Sequence, residues 1–173
     1  MFELNTDKVI EKRFAQAGIN HGSIVYARLF RTPKLAEAVV LCIDFGGSDR
    51  EFAIYYKNGD GKENSQMRLI QSLMMLNNIK KTTTKKLPIS KYNFDSKKKE
   101  DSLETCIPEF FNLKVEVELS EDKDGRLHIA HFMKDGKSAE EILTGVKPEP
   151  RVSAKAKEKT EKTAVEYDED IPF

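Results

Sequence analysis

The sequence predicts a mainly β fold: a small five-stranded barrel with one helix between its third and fourth strands, followed by a disordered C-terminal tail. Three observations predict it. Five segments alternate in polarity or are rich in β-branched residues, as strands are. One segment repeats its apolar residues at spacings of three and four, as an amphipathic helix does. After Val146 the composition turns to proline and alternating charge with almost no apolar side chains, which cannot build a core.

The elements follow in order. Residues 1–20 are polar and mixed, with a short helix expected over Val9–Ala17 and ended by Gly18. From Ser23, "SIVYARLF" alternates: Val25, Ala27 and Leu29 share one face, and Tyr26, Arg28 and Phe30 the other. Pro33 lies in the connection to a second strand, "EAVVLCIDF", which Gly46-Gly47 ends. The third, "REFAIYYK", runs into the turn residues "NGDG". In "SQMRLIQSLMMLNNI" the positions Met67, Ile70, Leu73 and Met74 make an apolar stripe that Leu69 and Leu76 widen. The lysine-rich segment 80–99 contains Thr82-Thr83-Thr84 and Pro88, which oppose a regular helix. "NLKVEVEL" turns Leu113, Val115, Val117 and Leu119 to one face, and "EDKDG" separates it from a fifth strand, "RLHIAHFM". "SAEE" has the spacing of a capping box, Ser138 with Glu141, opening a short helix that Gly145 ends.

Short connections with a single helix between the third and fourth strands match the barrel of an oligonucleotide-binding (OB) fold. A parallel doubly wound sheet would need helices between most strands. The rival is a small α+β sheet with the helix on one face. The expected divisions are an N-terminal segment 1–20, an OB domain 21–145, a linker 146–163 and an acidic tip 164–173.

The 173 residues carry zero formal net charge, yet the charge is segregated. Residues 80–99 hold eight lysines against one acid, Asp95, while residues 164–173 hold four acids and no base. This predicts an anion-binding region and an acidic tail. Cys42 and Cys106 form no C-x-x-C pair, "MFELNTDKVI" lacks the apolar stretch of a signal peptide, and no apolar run is long enough to span a membrane. A cytoplasmic location is expected.

The sequence offers no obvious catalytic constellation, and no cofactor or metal is expected. His128 and His131 sit three apart on a strand and so point to opposite faces, which disfavours a shared metal. "DFGGSD" lacks the spacing of a phosphate loop, and "DKDG" lacks the later Glu of a calcium loop.

Nucleic-acid binding fits better, because single strands are held by aromatic platforms and backbone cations. Tyr26, Arg28, Phe30 and Arg31 interleave on the first strand. On the third, Phe52, Ile54 and Tyr56 form the apolar face, which leaves Tyr55 and Lys57 outward. The basic segment adds Lys80, Lys81, Lys85, Lys86, Lys91 and Tyr92, with Phe94 beside them. The plainer alternative is that these aromatics fill the barrel and the lysines are a solvated loop.

The chain ends in "DEDIPF". These residues closely resemble the acidic C-terminal tip of bacterial single-stranded DNA-binding proteins. The middle, in "AGIN", "NGDGKENSQMRLIQSLMMLNNIKK" and "KSAEEIL", more loosely resembles bacteriophage single-stranded DNA-binding proteins. The resemblance implies a protein that coats single strands in replication, recombination or repair, in a bacterial or phage-infected cell. It also implies that Asp168, Glu169, Asp170, Ile171, Pro172 and Phe173 recruit partner enzymes. Phe173 would enter an apolar pocket with its carboxylate on a basic residue, and the acids would face a basic rim. The linker is short and charged where bacterial relatives have long Gly- and Gln-rich ones, and tryptophan is absent. The relatives' tetramer is therefore not carried over, and a homo-oligomer stays open. A strand-annealing recombination protein is the alternative function, and RNA the alternative ligand.

Overall fold

The computed structural model describes residues 2–6 and 14–146. The linker beyond Val146 and the acidic tip lie outside the described residues, as does most of the helix expected over Val9–Ala17.

The fold is mainly β, built on one long strand. β1 (Gly18–Arg31) pairs antiparallel with two neighbours in succession. Its first half, Gly18–Ser23, meets β6 (Lys114–Glu121), and its second half, Ser23–Arg31, meets β2 (Glu37–Asp44). The strand begins five residues before the expected Ser23, because the polar stretch Gly18–Gly22 is held by this pairing rather than by an apolar face. Where the partners change over, a bulge between Ile24 and Tyr26 breaks the alternation. Two residues then oppose one across the ladder, which re-aims the side chains. Ile24 is fully buried in the core and Val25 is 42% exposed, so Val25 does not share the buried face of Ala27 as the alternation predicts. Gly22 sits just before this bend, and a Cβ there would lie 2.7 Å from the Asp44 carbonyl oxygen and from Ile43 Cγ2. Only glycine allows β1 and β2 to approach so closely.

β3 (Asp49–Lys57) pairs with β2 after a turn in which Asp44 Oδ1 accepts from the N–H groups of Gly46 and Gly47. Phe52 and Ile54 are buried and Tyr56 packs against them, as the alternation requires. α1 (Met67–Leu76) buries Leu69, Ile70 and Leu73 against the core, with Met67, Met74 and Leu76 at its margin. β6 turns Val115, Val117 and Leu119 inward, and β7 (Leu127–Lys134) adds Ile129 and Phe132. β8 (Lys137–Ser138) leads into α2 (Ala139–Thr144). Ser138 Oγ accepts from the Glu141 N–H at 3.2 Å, and Gly145 closes the helix at φ 73°.

The strand order β3-β2-β1-β6-β7-β8 leaves the sheet open. β8 covers only Met133 and Lys134 of β7, and the rest of β7 forms no ladder with β3, so the closed barrel expected from the sequence is not seen. α1 packs against both β3 and β7.

The basic segment holds an element that the sequence did not suggest. β4 (Lys85–Asn93) and β5 (Lys98–Cys106) form a hairpin, joined to β1 at the pair Arg28–Cys106. Its inward side chains Leu87, Ile89 and Cys106 close over Tyr26 and Cys42 in a second small core with Phe111. This core explains why Cys42, on the face of β2 turned away from the main core, is buried. Pro88 is tolerated because β4 is an edge strand, paired only with β5. No helix among the described residues is long and apolar enough to cross a membrane.

Candidate nucleic-acid interface

The outer face of β1, β2 and β3 carries three cross-strand rows, fixed by the register. Phe30 lies opposite Ala38, which lies opposite Tyr55. One step along, Arg28 lies opposite Val40 and Ala53, and a further step sets Tyr26 beside Cys42 and Glu51. The first row therefore sets two aromatic rings on either side of a methyl group. Phe30 is 40% exposed and Tyr55 is half-buried. The Tyr55 N–H donates to Gln66 Oε1 at 2.9 Å, fixing the backbone of β3 to the start of α1. Ala38 between them is itself fully buried, so the surface open to a flat base is that of the two flanking rings.

The cations of this face are already engaged. Arg28 Nε donates to Glu51 Oε2 at 2.9 Å, and its guanidinium lies 5.7 Å from the Phe30 ring centre. Burial opposes its charge, but the Glu51 hydrogen bond and charge outweigh that and hold its pKa above the ordinary value. Arg31 and Lys57 both reach Glu37, at 2.6 and 3.7 Å. The Arg31 hydrogen bond is the main cause that draws the Glu37 carboxyl below the usual range.

The alternation of β1 predicts Tyr26 outward with Arg28. Tyr26 does point away from the main core, but the hairpin covers it and leaves it 3% exposed, so its ring offers no open stacking face here. Burial first, then its hydrogen bond to Glu51, push its phenol far above the ordinary range. Burial likewise pushes the Cys42 thiol up to about 12.

The hairpin supplies the lysines. Lys91 pairs with Glu104 at 2.6 Å, and Lys99 with Asp49 at the start of β3. Lys80, Lys81, Lys85 and Lys86 are exposed and make no ion pair among the described residues. At the hairpin tip Tyr92 meets Phe94 edge-to-face at 5.0 Å, and both stay exposed.

Where β3 and β7 fail to pair there is a cleft of about 600 Å³, lined by Arg50, Glu51, Ala53, Tyr55, Gln66 and Arg126 among others. Arg50, Glu51 and Arg126 were not candidates from the sequence. Arg126 follows a legible turn, but nothing in the sequence places it beside β3. His128, also at the cleft, pairs with Asp122 at 2.8 Å and draws that carboxyl down to about 2. Among the described residues no group of three or more His, Cys, Asp or Glu could hold a metal ion. The six candidate partner-binding residues, Asp168 to Phe173, lie outside the described residues.

The chain matches no protein-family model and no curated protein sequence.

Proposed function

We propose that this chain binds and coats single-stranded DNA without catalysis, and that its acidic tip recruits partner proteins. The observation that carries the first part is the row Phe30–Ala38–Tyr55, two partly exposed aromatics flanking a buried alanine, one register step from Arg28. Stacking accepts any base, and cations follow the backbone. Lys85 and Lys86 are exposed at the base of the hairpin, where Lys85 pairs with Cys106 and Cys106 with Arg28. Antiparallel order β3-β2-β1-β6-β7, with a helix between β3 and β6, supports a partly open OB barrel into which the β4–β5 hairpin is inserted. The second part rests on the resemblance of Asp168–Phe173 to the tip of bacterial single-stranded DNA-binding proteins. A phenyl group beside several acids offers an apolar anchor and a charge pattern at one place, and Pro172 restricts the chain before binding. Titration of single- and double-stranded DNA and RNA at two salt concentrations tests the proposal.

A further inference from the structure

We infer that the cleft between β3 and β7 is a nucleotide seat that favours bases with an exocyclic amino group over thymine, and that Glu51 makes the choice. The inference rests on the single-strand reading above and names a subsite within it.

A carboxylate in the middle of a phosphate-binding face is at first sight an obstacle. Glu51 is held in place, however. Two hydrogen bonds arrive at one oxygen, Oε2: from the Tyr26 hydroxyl at 2.8 Å and from Arg28 Nε at 2.9 Å. The other oxygen, Oε1, accepts no hydrogen bond among the described residues, and the side chain is 34% exposed. A fixed carboxylate with a spare acceptor is a reader of N–H donors. Cytosine presents its N4 amino group to such an acceptor, whereas thymine presents a carbonyl oxygen at the equivalent position, which a carboxylate repels.

The surroundings suit the rest of a nucleotide. Tyr55 lines the same cleft and offers a ring for stacking. Arg50 and Arg126 line it too, are exposed, and make no ion pair among the described residues. They are placed to meet phosphate. The volume of about 600 Å³ lies within the range usual for small-ligand sites. Three separate needs of a nucleotide (base edge, base face and phosphate) are thus met by side chains on two strands that the open sheet leaves apart.

The test compares oligo(dC) with oligo(dT) of equal length by fluorescence anisotropy, at neutral pH and one salt concentration. The proteins are wild type, Glu51→Gln and Arg126→Ala. Wild type should prefer oligo(dC) by about five- to tenfold, an order set by a single good base contact. Glu51→Gln keeps an acceptor for Tyr26 and Arg28 but loses the charge that rejects thymine, so the preference should fall towards one. Arg126→Ala should weaken both oligonucleotides equally and keep the preference. Equal binding of both by wild type would overturn the inference while leaving single-strand binding intact. So would a uniform gain or a uniform loss on Glu51→Gln, since Glu51 would then only repel phosphate or only position Arg28. Binding of neither oligonucleotide by wild type would overturn the single-strand reading itself, and this inference with it.

Discussion

Tyr26 on β1 donates its hydroxyl to Glu51 on β3 at 2.8 Å, across the buried Cys42 of β2 and beneath the β4–β5 hairpin. The bond joins β1 to β3 across β2. Tyr26→Phe keeps the ring and its packing but removes the donor. We expect a loss of about 0.5–1.5 kcal/mol in denaturant unfolding. The pH dependence has a definite sign. The folded phenol is raised, so its contribution is complete below the unfolded value of about 10 and is lost as pH rises above it. Wild type should therefore lose stability on the alkaline side more steeply than Tyr26→Phe. Parallel alkaline profiles for the two would show that the bond does not couple to folding.

The hairpin depends on very little apolar surface. Ile89 is 5% exposed and faces Tyr26, Cys42 and Cys106. Ile89→Ala should cost about 2–5 kcal/mol, as deletion of a buried aliphatic side chain usually does. It should also speed modification of Cys42 and Cys106 by a thiol reagent. Stability within a few tenths of wild type would mean that the second core carries no weight.

Tyr55 and Tyr56 are neighbours on opposite faces of β3, and Tyr56 packs on the main core. Tyr55→Ala and Phe30→Ala should each weaken single-strand binding by about 1–3 kcal/mol and leave the fold intact. Tyr56→Ala should lower stability instead, since Tyr56 packs on the main core. Circular-dichroism melting beside anisotropy separates the two effects. Unfolding of Tyr55→Ala would reverse the face assignment of β3.

Salt should separate free lysines from engaged ones. Lys85 and Lys86 are exposed and unpaired, whereas Lys91 is held by Glu104. Replacing both Lys85 and Lys86 by Ala should reduce the slope of log affinity against log salt by about 1.4, at roughly 0.7 per phosphate contact on a single strand. Lys91→Ala should change it less. An unchanged slope in the double variant would remove the hairpin base from the interface.

The tip is tested apart from DNA. Phe173→Ala removes the apolar anchor and none of the acids. It should abolish recovery of partner enzymes from a lysate while leaving single-strand affinity almost unchanged. Equal recovery by both proteins would leave the tip no recruiting role.

Much of the frame was legible because alternation and helical period report burial directly. Phe52, Ile54 and Tyr56, the α1 stripe and the Ser138 cap all follow from spacing. The bulge at Ile24–Tyr26 was not legible, because it depends on β1 changing partners from β6 to β2. The hairpin was hidden by composition: lysines and threonines mask an alternation whose inward members are only Leu87, Ile89 and, further on, Cys106. Of the interface, the residue types were readable but not their state. Register sets Phe30 across from Tyr55, and only the fold reveals that Glu37, Glu51, Glu104 and Asp49 occupy cations that looked free.

The central claim is single-strand binding, and one titration tests it most directly. A labelled single-stranded oligonucleotide and its duplex are titrated with the intact protein at low and at moderate salt. The account predicts clear preference for the single strand, with affinity that falls steeply as salt rises. Equal affinity for single strand and duplex, or single-strand affinity that does not change with salt, would contradict it.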